Sequence, residues 1–451
     1  MTNELETRPI GSLLIKYSTP TVAAMVVNSI YNVVDRMFIG NYVGEDALGG
    51  LTIAFPIMML LFAIGNIVGI GGSALMSIRL GERNKKEAEK IAGINITLAF
   101  IISMVFLTLM TPNLDFIISI FSNSKNLFPY AKDYLFIILI GFIFQMYSFL
   151  FSNMIRVQGR PYLPMFVMIV SAVTNIVLDY FFIVEIKMGV QGAAIATVIG
   201  QAVGFFISLY YIGKDKSLIR IHLKNLKPNY RIISNIFSIG MASFVATIGT
   251  SISMVFLNNG LYKYGGDAAV TSMGAINSIY TMCIMPILGI QQSMQPILGY
   301  NYGAKRMDRV FRTLTLSTIT LIVFTTTVFL AIYITPETFI EMFIDSNSPI
   351  MEGAIVGLKI FTLSLPIIGI NFIGVTYCQS TNQGRKSIIL SMLRQFIFLI
   401  PLTIILPLYF GLSGVWMATP IADFVATIVV GFVLLKEIFD YKNSIGDYNE
   451  S

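Results

Sequence analysis

Of the 451 residues, 55% are hydrophobic and only 12% are charged, and the mean hydropathy is +0.76. A soluble domain carries about 25% charged residues, so a chain with half that share is excluded from the class. The formal charge of +6 is explained by the loop asymmetry described below and calls for no nucleic-acid partner.

Apolar runs of about 20 residues recur throughout, long enough to cross roughly 30 Å of hydrocarbon. Backbone facing lipid must satisfy its own hydrogen bonds, so such runs are read as helices. Barrel strands would alternate over about ten residues, and these do not. The pattern predicts an all-α membrane protein of twelve spans, taken here in chain order. Span 1 (13–40) contains Pro20, which removes a backbone donor and permits a bend, and then Asp35 and Arg36. Span 2 (50–79) is crowded by Gly65, Gly69, Gly71 and Gly72, which permit close helix approach. Span 3 (91–111) follows the basic segment Arg79 to Lys90. Span 4 (133–156) ends at Arg156 and leads through Gln158-Gly159-Arg160 into span 5 (162–184), with Asn175 and Asp179. Span 6 (190–212) holds Thr197 and Gln201.

The stretch 213–233 carries six Lys or Arg and the only histidine, His222, and is read as a linker, with room for a short surface helix. Span 7 (234–260) and span 8 (270–300) are rich in methionine, including Met254 and Met285, and carry Asn277 and Gln291. Span 9 (311–334), span 10 (350–380, with Pro366), span 11 (387–409, with Arg394) and span 12 (412–436, with Asp423) complete the chain. Cys283 and Cys378 lie within spans and are read as small apolar fillers, so no disulfide or metal pair is expected. The first eleven residues lack the basic, small-residue pattern of a cleaved leader, so span 1 is expected to be retained.

The chain repeats itself. Gly189-Val-Gln-Gly192-Ala-Ala-Ile-Ala196-Thr197 returns 222 residues later as Gly411-Leu-Ser-Gly414-Val-Trp-Met-Ala418-Thr419. Gly44-Glu-Asp46-Ala47 returns at Gly265-Gly-Asp267-Ala268, and Gln158-Gly159-Arg160 at Gln383-Gly384-Arg385, 225 later. Six spans per half return the chain to its starting side. The halves therefore share one orientation, as two six-helix bundles related by a pseudo-two-fold axis along the membrane normal. The predicted lobes are residues 1–212 and 234–451. Loops after even-numbered spans hold 19 of the 30 Lys and Arg, whereas those after odd-numbered spans hold five: Lys125, Lys132, Lys187, Lys263 and Lys359. The positive-inside rule then places both termini in the cytoplasm.

Ionisable groups within the hydrocarbon are costly and mark function. Asn175 and Asp179 stand at i and i+4, on one helix face. Asp35, Asp179 and Thr197 fall at similar depth, in the outer half of the first lobe. Two carboxylates in one apolar pocket do not both stay ionised, so one holds a proton; alternatively, carboxylate, amide and hydroxyl oxygens together make a hard-cation site. The second half does not repeat these acids, and Asp423 stands where the first half has Gln201. Met-rich spans 7 and 8 suit an adaptable cavity for flat aromatic cations, with Met254, Met285, Asn277, Gln291 and Asp423 as cargo-lining candidates.

Five segments together resemble the multidrug and toxic compound extrusion (MATE) transporters, in particular the bacterial branch of DinF-like and Staphylococcus-type exporters. They are Ser18-Thr-Pro20, Tyr31-Asn-Val-Val-Asp35-Arg-Met-Phe-Ile-Gly40, Arg79-Leu-Gly81 with its counterpart Asn301-Tyr-Gly303, Arg156-Val-Gln158-Gly159, and Asn175-Ile-Val-Leu-Asp179. The resemblance implies two six-helix lobes around a cleft, a span 1 that bends at Pro20, and a coupling site for H+ or Na+ at Asp35, Asn175, Asp179 and Thr197. It implies a monomeric, multi-pass protein of the bacterial cytoplasmic membrane that exports small organic cations without a cofactor. This chain departs from the pattern at Gln158, where related exporters often carry an acid. The alternative on the same fold is a flippase for a lipid-linked precursor, with Arg36 and Arg394 as its cations. A membrane-embedded enzyme lacks a nucleophile–base pair or metal ligands, and no phosphate-binding loop for ATP is present.

Overall fold

A computed structural model of the chain describes residues 4–121, 124, 126–213, 218–346 and 348–449, without the side chains of Glu45 and 442–449. No strand occurs among the described residues. The first lobe comprises α1 (Ile10–Tyr42), α2 (Glu45–Gly81), α3 (Lys85–Met110), α4 (Phe128–Val157), α5 (Tyr162–Asp179) and α6 (Gly189–Gly213). A π turn, Tyr180–Glu185, extends α5. Helical backbone then runs over Tyr230–Gly303, broken only at Gly266 (φ 62°, ψ −162°), which separates α7 (230–265) from α8 (267–303). After α9 (Met307–Ile334), α10 is a pair, Met351–Phe361 and Leu365–Ser380, bent by 46°. Gly384–Met392, the π segment Leu393–Leu399 and residues 400–410 make up α11; Gly411 (φ 57°) breaks the run before α12 (412–449). Twelve spans result, as the hydropathy pattern predicts.

One of the three sequence repeats is the same turn built twice, and a further turn, at Asn84 and Arg306, is repeated in backbone though not in letters. Gly189 (φ 60°) and Gly411 (φ 57°) both occupy the left-handed region that favours glycine. Asn84 and Arg306 cap α3 and α9 with nearly identical backbone angles, and Arg83 and Lys305 before them share φ 57°. These pairs keep the offset of 222. The third repeat is corrected by the backbone: the left-handed partner of Gly159 (φ 89°) is Asn382 (φ 59°), not Gly384. Matching the Gln-Gly-Arg letters slips the register by two residues, because a turn conserves its conformation and not its triplet.

The lobes meet on the side of the basic loops, where glycines let backbones touch. A Cβ at Gly81 would strike the carbonyl oxygen of Tyr300, and one at Gly303 would strike that of Ile78, its pseudo-symmetric mate. A hydrogen bond between the Ser18 and Ser293 hydroxyls (2.7 Å) and one from Gln295 to the Ile70 carbonyl (3.2 Å) cross the same seam. The last cross-lobe bond reaches mid-depth, Asn66 to Thr247 at 3.5 Å. Beyond it, toward Gly44 and Gly266, Val33, Met37 and Met282 are exposed and nothing lies near Gly274. These ties between the lobes gather at the basic-loop end. Gly81→Ala is therefore expected to force the lobes apart at the seam and to lower stability by roughly 1–3 kcal/mol, the usual cost of overpacking. Thermal unfolding of the purified protein measures it, and an unchanged midpoint would exclude the wedge.

Four residues of the linker, 214–217, lie outside the described residues. The remainder lies along α3 and α4: the amide of Leu218 donates to Gln158 and that of Arg220 to Glu89, and Thr97 donates to the Leu226 carbonyl at 2.8 Å. The short helix expected there is a single 3-10 turn, Leu223–Leu226.

Candidate functional site

The acids of the first lobe gather where α1, α5 and α6 pack. Gly200 of α6 lies against the Ser171 carbonyl and Asn175 of α5, an approach that a side chain at 200 would block. This brings Thr197 to Asn175, whose Nδ2 donates to Thr197 Oγ1 at 3.3 Å. Asp179 is fully buried at the last α-helical residue of α5, immediately before the π turn. Such turns widen a helix locally and recur at functional sites. Asp35 reaches the group from α1 and is 7% exposed. Asp35, Asp179 and the phenols of Tyr31 and Tyr134 lie close enough to act on one another electrostatically.

The site's oxygens are unspent. Asp35 Oδ1, both carboxylate oxygens of Asp179 and Asn175 Oδ1 are buried without a hydrogen-bond partner among the described residues. Buried polar atoms are nearly always partnered, so an orphaned cluster is suited to a cation or a proton. The Arg36 guanidinium lies over the Phe55 ring at 5.4 Å and acts on Asp35 through space, without a salt bridge between them. Pro20 stands lower on α1, inside a helix that continues through it, and the Thr21 hydroxyl donates to the Tyr17 carbonyl.

The second lobe is arranged differently. Asp423 of α12 is 1% exposed and its Oδ1 accepts from Arg394 Nε of α11 at 2.6 Å. Its Oδ2 accepts from Ser364 at 2.9 Å, while its main-chain oxygen accepts from Asn371 and Thr427. Asp423 therefore does not line an open cleft; its carboxylate is consumed by an internal ion pair. Arg394, which the sequence presents as a lone intramembrane cation, is its partner. Met254, Met285, Asn277 and Gln291 are half-buried on α7 and α8. At the basic-loop end, Arg156 is buried and donates to Asn153 (3.0 Å) and, across the seam, to Gln292 (3.2 Å).

Among the described residues no group of three His, Cys, Asp or Glu gathers as a metal site. The MatE family model matches residues 20–181 and 236–405, one match in each lobe. The multidrug export protein MepA of Staphylococcus haemolyticus is 26% identical over 430 residues, covering 95% of this chain and 94% of its own. The structure of the MATE multidrug transporter DinF-BH is similar with a TM-score of 0.89 at 36% identity, over 97% of each chain. A multidrug resistance MATE transporter in an outward-facing conformation gives a TM-score of 0.92 at 24% identity, over 98% of each chain. The chain belongs to the multidrug and toxic compound extrusion (MATE) family of membrane transporters.

Proposed function

We propose that this protein is a secondary active exporter that exchanges small organic cations for H+ or Na+ by alternating access between lobes 1–212 and 234–451, joined by the linker 213–233. The observation that carries the reading is the orphaned oxygen cluster of Asp35, Asn175 and Asp179 beside Thr197. A carboxylate pair buried in this way needs a proton or a cation, and an ion drives a conformational change only if it binds the two states unequally. Helix α1 is suited to transmit that difference. Its inner part is tied to the opposite lobe through Ser18 and Ser293. Asp35 lies 17 residues beyond Ser18, about 25 Å along the helix. Pro20, which cannot donate to the turn before it, stands between the two and is the natural point of bending.

The relatives' export of drugs supports a cargo of the same kind. With Arg394 held by Asp423 and Arg36 resting on Phe55, the cleft is short of the cations that a phosphate-bearing cargo would need, which favours drug export over lipid flipping. The protein acts as a monomer in the bacterial cytoplasmic membrane with both termini inside, a reading supported by its basic loops. It uses no cofactor beyond the coupling ion and catalyses no chemical conversion.

The deciding experiment is cargo efflux from proteoliposomes under separately imposed pH and Na+ gradients. Efflux driven by neither would end the antiport reading. Met254→Ala and Met285→Ala are expected to reorder cargo preference by several-fold at near-normal expression, since methionine adapts to differently shaped cargo. An unaltered ranking across a panel of organic cations would reduce both residues to packing.

A further inference from the structure

On the basic-loop side, a cavity of about 390 Å³ opens between α2 and α3 of the first lobe and the start of α7 of the second. Its floor is apolar: Leu75, Ile91 and Ile232 are all buried. Its walls carry Arg79, Lys90 and Arg231 against a single acid, Glu87. Arg79 pairs with Glu82 through Nη1, but its Nε is buried and unpartnered. Lys90 and Arg231 have no ion-pair partner among the described residues. The caps of α3 and α7, Asn84 and Asn229, line the same cavity, each accepting from its own first turn at Glu87 and Ile232. The positive ends of two long helices therefore add to the field of three cations.

The internal repeat supplies a control within the same molecule. The equivalent corner of the other half is formed by Asn301, Arg306, Arg309 and Arg312, matching Arg79, Asn84, Glu87 and Lys90. That corner is filled by the chain's own N-terminal turn, Glu4–Thr7. Arg309 donates to the main-chain oxygens of Leu5 (3.0 Å) and Arg8 (2.7 Å), Asn301 donates to that of Leu5, and Tyr300 donates to the Glu6 carboxylate. Leu5 is fully buried there. In the first half the segment before α7 does not fill the corner; from Leu218 to Leu226 it runs along α3 and α4 instead. One corner thus has oxygen ligands from the chain itself; its mate, in which only Lys90 keeps a basic counterpart (Arg312) and Glu87 stands where Arg309 does, draws its cations from Arg79, Lys90 and Arg231 and has no such ligands among the described residues.

We infer that the cavity binds a phosphate-bearing anion, either the headgroup of an acidic lipid or free phosphate. Basic pockets between helices on the cytoplasmic side are suited to such groups. Because Arg79 and Lys90 belong to the first lobe and Arg231 to the first turn of α7, where the linker enters the second, the bound anion ties the start of α7 to the first lobe and favours the state closed at the basic-loop end.

The test uses the purified full-length protein. Binding of phosphatidylglycerol, with phosphatidylcholine as the neutral comparison, is measured by native mass spectrometry, and inorganic phosphate alone by thermal shift in detergent. Binding is expected to weaken about five-fold for each cation removed in Lys90→Gln and Arg231→Gln, and to be unaffected by Arg312→Gln in the filled corner. Glu87→Gln is expected to tighten it by a similar factor, which keeps the test decisive if the cation variants fold poorly. Selective binding of phosphatidylglycerol supports the site with a lipid as its source, and a shift with phosphate alone supports it with a soluble anion. Binding that is equal in wild type, Lys90→Gln/Arg231→Gln and Glu87→Gln would overturn the inference, as would no preference for either anion over the neutral lipid.

Discussion

Asp35→Asn is expected to abolish gradient-driven efflux while leaving a folded protein that still binds cargo. The amide has the shape of the protonated acid, so packing around α1 is preserved. Folding is not threatened, because a neutral amide is cheaper to bury than a carboxylate lacking a partner. What is lost is the ability to take up and release a positive charge. Without differential ion binding the gradient has nothing to act on, and a two-state carrier left at its resting ratio moves cargo only downhill. Asp179→Asn is expected to weaken ion dependence less completely, since Asp35 retains a charge in the same pocket. Efflux by reconstituted protein under an imposed gradient gives the answer, and wild-type rates from Asp35→Asn would remove the proposed mechanism. The coupling ion can be identified with the same variant. An ion that binds the folded state at about 100 times its dissociation constant stabilises it by about 2.7 kcal/mol. A Na+-specific rise in thermal stability that disappears in Asp35→Asn would assign Na+, and its absence alongside pH-driven efflux would assign H+.

Much of this architecture is legible in the chain because its determinants are local or periodic. Hydropathy runs give the spans, Lys and Arg give the sides, and repeated glycines mark turns that need positive φ, as at Gly189 and Gly411. The first-lobe site is legible for the same reason: Asn175 and Asp179 share a face at helical spacing, and Asp35 falls at matching depth. What escapes a linear reading is contact between helices and departures from ideal helix geometry. The slipped Gln-Gly-Arg match follows from comparing letters where only the backbone conformation is conserved. The π turn after Asp179 leaves no periodic trace in a sequence that is apolar on all sides. Arg394 and Asp423 look like two separate intramembrane charges, yet a signal for their pairing was present. They lie on consecutive antiparallel helices, 17 residues before and 12 after the turn at Gly411. At 1.5 Å per residue their depths differ by only about 7 Å, within reach of a long arginine side chain.

That pairing changes what substitution of Asp423 should do. On the sequence alone, Asp423→Asn is expected to affect transport less than either first-lobe change, as befits a cargo-lining acid. In the folded protein it removes the counter-charge of a guanidinium whose side chain is only 18% exposed. Breaking a buried ion pair from one side typically costs about 3–5 kcal/mol, because the remaining charge is left desolvated. Asp423→Asn and Arg394→Gln are thus both expected to lower thermal stability and yield in the membrane substantially. Loss of transport should follow the loss of folded protein, with activity per folded molecule changing little. Replacing the two together by apolar residues of similar volume, Arg394→Met with Asp423→Leu, should recover most of the stability, since the desolvation cost leaves along with the attraction. Ser364, Asn371 and Thr427 set the limit of that recovery: their bonds to Asp423 are partly to its main chain, which survives, and partly to its side chain, which does not. A double variant no more stable than either single one would mean that the polar network, rather than charge neutrality, holds α11 and α12 together. A double variant that is stable but exports nothing would instead place the ion pair in the transport cycle, as a second charged element facing the one at Asp35.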